Sequence, residues 1–539
     1  MKDVTSRRWI GLVFISLAVA LIIVDSTIVN VAIPAIVDDL RITSTQVQWV
    51  QEAYTLVFAA LLLLFGSLAD RIGRRRLLLI GVALFTVASV IASFAPTGDL
   101  LILARLVQGV GGAMMLPSTL SLLNATFQGR ERGIAFAVWG STIGGMAAVG
   151  PLLGGWLTTS FSWRWAFGIN IPLGVIIAIG VLWAVGESRA QNAPAIDALG
   201  AVLSVLLFGA LVFGLIEGRT LGWWDVDAPF TVAGWSWPFS VSPVPVAFAL
   251  ALLAAVGFVT WSRRQARRGR PTLLDPRLFS IASFRSGNIA ALVVALGEFG
   301  IILSLPLWLQ FVLGFDALQT GLILIALAAG SFVASGFAGA SNGKVSAVLI
   351  VRAGLVAEIV GVVAAGLVVG ADAGTQSAWL WLLPALFVYG FGVGLATAQL
   401  TGVILQDVPV ELSGQGSGTQ STARQVGSAL GIAILGTVLF TGTAGILSSS
   451  LDDRGLPPQQ RDQIVSAVVD SSGGAIAGLA ANPATAPIAA DAKAAFSDAT
   501  RLSAFTAAGF LVVGLLATIP LGRERRRGET DAEEPPVRS

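Results

Sequence analysis

Fourteen apolar runs, each about as long as a bilayer is thick, decide what this chain can become. They fall at residues 9–33, 48–68, 77–95, 100–124, 133–159, 165–186, 198–217, 244–262, 286–312, 318–340, 347–370, 378–404, 415–440 and 502–521. A helix needs about 20 apolar residues to cross the hydrocarbon core. No water is present there to bond a free N–H or C=O, so the backbone must satisfy itself within each segment. The runs therefore predict an all-α integral membrane protein with 14 transmembrane helices. The first run is too long for a signal-peptide core and has no small-residue cleavage site after it, so it reads as the first span. Composition agrees: 55% of residues are hydrophobic and 12% charged, against about 25% charged in soluble domains. The chain has 15 Trp and only 2 Tyr, and many of the Trp sit near run ends, where an amphipathic ring prefers the interface.

Arg and Lys alternate across the loops. One side carries Arg7, Arg8, Arg71, Arg74, Arg75, Arg76, Arg130, Arg132, Arg189, a dense set from Arg263 to Arg277, Lys344, and Arg523 to Arg527. The short loops of the other side hold only Arg41, Arg164 and Arg219. Basic loops stay in the cytoplasm, so the pattern predicts a multi-pass plasma-membrane protein with both termini cytoplasmic. Segments 187–197 and 263–285 read as cytoplasmic linkers, the second basic enough to meet anionic lipid headgroups. Segment 441–501 reads as the longest external loop, a cap with short helices. The tail 522–539 is polar, rich in Pro and Glu, and reads as disordered.

Some chemistry is excluded by absence. There is no Cys and no His, which removes disulfides, His/Cys metal sites and Ser-His or Cys-His nucleophiles. No phosphate-binding Gly-x4-Gly-Lys-[Ser/Thr] string occurs, so ATP hydrolysis is not expected. Neither a cofactor nor a nucleic-acid partner is implied. Any proton relay must use carboxylates, because the side chain that titrates near neutrality is missing.

Charges inside spans cost several kcal/mol and mark function by default. Asp25 in the first span, Glu52 in the second and Arg105 in the fourth lie at one depth, roughly 9–13 Å from the outer end at 1.5 Å per residue. They are expected to meet around a central cavity, where burial and a nearby guanidinium pull a carboxylate's proton affinity in opposite directions. Glu298 lies near the middle of the ninth span. Arg424, with Gln420 and Gln425 nearby, can reach inward from the thirteenth. Glu358 and Arg352 in the eleventh span are six residues apart and so face different ways.

Four motifs stand in order. Asp25-Ser26-Thr27-Ile28-Val29-Asn30 ends the first span. Gly66-Ser67-Leu68-Ala69-Asp70-Arg71-Ile72-Gly73-Arg74-Arg75-Arg76 joins the second and third. Arg105, Gln108 and Gly109 lie in the fourth, and Gly150-Pro151-Leu152-Leu153-Gly154-Gly155 in the fifth. With these motifs the chain resembles a major facilitator superfamily transporter over residues 9–521, and more narrowly the fourteen-span drug:proton antiporter branch. The matching C-terminal loop, Gly339 to Ser346, departs from the motif.

The resemblance implies two six-helix bundles, 9–186 and 286–521, the second including loop 441–501, with two extra helices in region 187–285. It implies a proton-coupled antiporter, not an enzyme, that exports lipophilic drugs or amphiphiles by alternating access, working as a monomer among membrane lipids. Proton coupling falls to Asp25, Arg105, Glu52 and Glu298. The substrate cavity falls to Asp25, Asn30, Glu298, Gln108 and Arg424. Gating falls to Gly66, Asp70, Arg71, Gly73, Arg74 and Arg75, with Arg71, Arg74 and Arg75 facing lipid or acidic partners. Gly150, Pro151, Gly154 and Gly155 form the antiporter motif: small residues for close packing, a proline for a kink. Two alternatives stand beside this reading. One is a dedicated exporter of one endogenous antibiotic, lipid or siderophore. The other is a non-transporting membrane sensor or scaffold, against which the charges retained in the spans argue.

Overall fold

The computed structural model describes residues 2–42, 44–189, 197–232, 235–341, 345–371 and 378–521. Most of linker 187–197, loop positions 342–344, the tail 522–539 and the side chain of Asn30 lie outside what is described.

The N-terminal half comprises α1 (Lys2–Leu40), α2 (Ser44–Ile72), α3 (Arg74–Ser93), α4 (Gly98–Thr126), α5 (Gly129–Ser160), α6 (Trp165–Gly168) and α7 (Asn170–Ala184). Next come α8 (Ala198–Leu221) and α9 (Pro243–Arg267). The C-terminal half comprises α10 (Ala282–Phe311), α11 (Ala317–Ser341), α12 (Ala347–Ala371), α13 (Ala378–Leu405), α14 (Ser413–Asp453), α15 (Pro458–Asp470), α16 (Ala475–Ala481) and α17 (Ala486–Ala517). Among the described residues, 13 helical segments are long and apolar enough to cross a membrane. The Gly-rich α5, 32 residues long, supplies the fourteenth. Span 165–186 is one rod broken at Ile169 into α6 and α7. Pro172 has no N–H to close the ladder there.

Within the first half, α1 packs on α5 and α7, α3 on α4 and α7, and α2 on α4. Within the second, α10 packs on α14 and α17, α12 on α13 and α17, and α11 on α13. The halves meet chiefly where α2 lies on α14 and α5 on α11. Counted within each half, that is second helix on fifth and fifth on second, the mark of a pseudo-twofold axis. The α8–α9 pair lies beside one of these seams, with α8 touching both α2 and α14.

Two details differ from the sequence reading. The Trp- and Pro-rich stretch between α8 and α9 folds a two-residue-per-strand hairpin, Thr231–Val232 against Trp235–Ser236. The external segment is also shorter than 441–501. Helix α14 runs on to Asp453, and α17 already begins at Ala486. At 41 and 32 residues both helices are longer than a bilayer crossing needs, and an ion pair between Arg454 and Asp491 joins them. Only 454–485 is left to form the cap of α15 and α16, seated by the buried Val468 and Ile476.

Candidate functional site

Asp25 lies in the interior of the N-terminal half with no exposed surface. Its Oδ2 accepts from Arg105 Nη1 at 2.5 Å. Its Oδ1 accepts from Gln108 Nε2 at 3.1 Å and from Asn170 Nδ2 at 2.6 Å. Ser89 Oγ accepts from the same two amides. Arg105 also donates Nε–H to the Val50 carbonyl at 3.1 Å and lies 4.6 Å over the Tyr54 ring. Helices α1, α2, α3, α4 and α7 thus converge on one neutral, nearly saturated cluster. Asn170, Ser89 and Tyr54 were not singled out in the sequence. Asn170 carried a usable signal, as a polar residue inside an apolar run.

Two expectations need correction here. Glu52 does not join Asp25 and Arg105. It points to α8, where its carboxyl is within hydrogen-bonding reach of Glu217. Asp25 and Gln108 have no exposed surface and so do not line an open cavity in this conformer.

The C-terminal half holds a second cluster. Glu298 Oε2 pairs with Arg424 Nη2 at 3.1 Å. Glu298 Oε1 accepts from Thr397 Oγ1 at 2.8 Å, and the Glu298 carbonyl accepts from Tyr389 at 3.0 Å. The side chain of Arg424 keeps 14% of its surface exposed while Glu298 keeps 3%, so the cation is the accessible end of this pair. Glu358, given no role from the sequence, lies on α12 beside this cluster. It is fully buried against α13, close enough for the charges of Glu298 and Arg424 to act on it. Arg352 does face elsewhere, donating to the Thr518 and Ile519 carbonyls at the end of α17.

At the end of the molecule that carries the basic loops, Asp70 ties the halves together. Its carboxylate accepts from the backbone N–H of Gly414 at 2.8 and 2.9 Å and of Gln415 at 3.1 Å. The first turn of α14 has no side-chain cap of its own, so Asp70 caps it from the opposite half. A carboxylate suits the positive end of the helix dipole. Arg74 completes the arrangement. It is fully buried, pairs with Asp70 at 2.7 Å, and donates to the Val410 carbonyl and to Ser188 Oγ at 2.8 Å. Arg75 donates to the Val185 carbonyl at 3.0 Å. Of the two expected surroundings, lipid or an acidic partner, Arg74 thus has the acidic partner, while Arg75 is half-buried on a carbonyl and Arg71 is exposed. Asn124 to Ser413 at 3.0 Å and Arg132 to the Gln406 carbonyl at 3.4 Å add further ties between the halves.

Glycine permits this closeness. A Cβ on Gly66 would lie 2.6 Å from the Gly414 carbonyl and from the Gly418 Cα. Gly73 has φ of 115°, a conformation closed to ordinary side chains. On α5, a Cβ at Gly150 would strike Thr27 Oγ1 at 1.7 Å, and one at Gly154 would meet the Ile28 carbonyl at 2.9 Å. Gly155 faces Leu318 of α11 instead. The stretch around Pro151 thus packs on α1 with one face and on the other half with another.

The sequence profile of the Major Facilitator Superfamily matches residues 15–215 and 195–432. The chain belongs to the Major Facilitator Superfamily. As a member it is a multi-pass membrane transporter and not an enzyme. It is 33% identical over 523 residues to the multidrug efflux pump LfrA of Mycolicibacterium smegmatis, covering 96% of this chain and 97% of that one. It is 34% identical over 459 residues to a probable actinorhodin transporter of Streptomyces coelicolor, covering 83% and 75%. To the puromycin resistance protein pur8 of Streptomyces alboniger it is 34% identical over 462 residues, covering 84% and 85%. The human organic anion transporter MFSD10 (TETRAN) shares the superfamily fold, with a TM-score of 0.57 at 12% identity over 96% of this chain and 99% of that one.

Proposed function

We propose that this chain is a proton-coupled antiporter that exports lipophilic drugs or amphiphiles across the plasma membrane by alternating access. Residues 9–186 and 286–521 act as the two rocking bundles, 187–285 carries the extra helices, and both termini are cytoplasmic. The chain works as a monomer. The observation that carries this reading is the pairing of a latch with buried charge: Asp70 caps α14 across the halves, while each half encloses a carboxylate–guanidinium pair. Such pairs are costly in a membrane and mark transport pathways. Relatives that share a third of the sequence over most of its length are named a multidrug efflux pump, a probable actinorhodin transporter and a puromycin resistance protein.

In this reading the conformer is closed at the cytoplasmic end. Opening that end breaks the bonds from Gly414 and Gln415 to Asp70, and the two halves rock about the α2–α14 and α5–α11 seams. Asp25 and Glu298 exchange protons as their arginines are drawn toward or away from them. Arg424, the exposed member of its pair, meets the substrate cavity and releases Glu298 to a cationic substrate. The likeness to an actinorhodin transporter favours one second reading, a dedicated exporter of a single antibiotic. A growth-inhibition panel in a pump-deficient bacterial host separates the two. Resistance to several unrelated lipophilic drugs is expected, and resistance to one compound alone supports the dedicated exporter. No change for any compound contradicts both.

A further inference from the structure

Glu358 is a carboxyl that the transport mechanism just described does not use. It has no exposed surface, and neither Oε1 nor Oε2 has a hydrogen-bond partner. Its site is shaped for it: a Cβ on Gly392 of α13 would lie 2.7 Å from Glu358 Cγ. One turn before Gly392 stands Tyr389, whose hydroxyl is spent on the Glu298 carbonyl. The charged and titratable groups facing Glu358 are Glu298 from α10, Arg424 from α14 and Tyr389 from α13. From Ala504 to its end at Ala517, α17 carries no charged residue. On α12 itself, Arg352 is engaged with Thr518.

Charge arithmetic then separates the two halves. In the N-terminal cluster one carboxylate, Asp25, meets one guanidinium, Arg105, and both Asp25 oxygens have donors. In the C-terminal cluster two carboxyls share one guanidinium, and Arg424 is bonded to Glu298. Glu358 is the carboxyl left over. An ionised carboxylate without donor or counter-ion costs several kcal/mol in a low-dielectric interior, and a bound proton removes that charge. We propose that Glu358 is the resident proton-binding site of the C-terminal half, exchanging its proton with Glu298 when Arg424 moves away. With Arg424 withdrawn, the proton passes from the Glu358 carboxyl to the Glu298 carboxylate, and no other group changes charge. This deepens the antiporter reading and rests on it for the proton's use, though not for its presence.

The test has two readouts, the first on the purified full-length chain in detergent and the second on cells that express it. Infrared spectroscopy at neutral pH reports the carbonyl stretch of a protonated carboxylic acid in an apolar setting. Wild type is expected to show this band, Glu358→Gln to lose the part of it that Glu358 adds to that of the Glu52 and Glu217 carboxyls, and Glu358→Asp to restore that part. The second readout is ethidium export from cells against its gradient. Glu358→Gln is expected to lose uphill export while still passing ethidium down its gradient, and Glu358→Asp to recover part of the uphill activity. A band of full intensity in Glu358→Gln, in protein that elutes as wild type does on size exclusion, overturns the proposal. Loss of that part with Glu358→Gln in a chain whose wild type exports nothing upholds the proton site and removes the antiporter reading instead. Loss of that part together with unchanged uphill export overturns the exchange with Glu298.

Discussion

Removing either Asp25 or Arg105 leaves an unpaired charge in the interior of the N-terminal half. Their 2.5 Å pair is fully buried, and deleting one partner of a buried pair destabilises by about 3–5 kcal/mol because the other charge stays behind. Arg105→Ala is expected to lower the thermal midpoint in detergent clearly. Arg105→Lys is expected to keep the charge but lose the fork that serves Asp25, Gln108 and the Val50 carbonyl together. Asp25→Asn is expected to reach the membrane yet abolish export driven by a pH gradient. Wild-type export rates in that variant would make Asp25 purely structural. At Glu298, conversion to Gln is expected to reduce resistance to cationic dyes more than to neutral drugs, since a desolvated acid attracts a cation more strongly than it does in water. Equal losses would assign Glu298 to proton transfer alone. The depth of these residues was legible from span lengths, but direction was less so. Val50 and Tyr54 are one turn apart and both touch Arg105. Glu52 lies two residues from each, on the opposite face of α2, where it meets α8. Equal depth brought it no nearer to Asp25. Glu358 was named but given no role for a related reason: what a buried carboxyl can do depends on its neighbours in space.

At the scale of elements, the informative contact is between the end of α2 and the start of α14. There Asp70, an acidic residue in a basic loop, accepts from the first N–H groups of a helix. That the helix is α14, more than 340 residues on, was not legible, since nothing local to Asp70 names its partner. The burial of Arg74 follows from the same docking. Since the chain has no Cys, a single introduced thiol reports this seam cleanly. Ser413 is buried and bonded to Asn124. Ser413→Cys is therefore expected to react slowly with a membrane-impermeant maleimide applied from the cytoplasmic side. Adding Asp70→Asn is expected to speed labelling several-fold, because the cap on α14 weakens and Arg74 loses its partner. Unchanged labelling would show that Asp70 does not hold the seam. On α5, Gly150→Leu is expected to abolish export, since even a Cβ there overlaps Thr27 Oγ1. Full export by that variant would show that α1 and α5 need no close approach.

At the scale of the molecule, hydropathy alone made the helix count legible, and the motifs supplied the family. The pairing of α2 with α14 and α5 with α11 needed the structure, because apolar faces do not state which apolar face they meet. The same holds for α8, which touches both halves while its sequence reads only as one more span. In the proposed antiporter, drug and proton movements are linked through the two buried charge clusters. Proteoliposomes containing the purified chain and a trapped pH dye test it most directly, with no gradient imposed but an outward gradient of ethidium. Ethidium movement is expected to drive protons the opposite way, and Asp25→Asn to remove that proton flux. Ethidium transport by the wild type with no accompanying proton movement would contradict it.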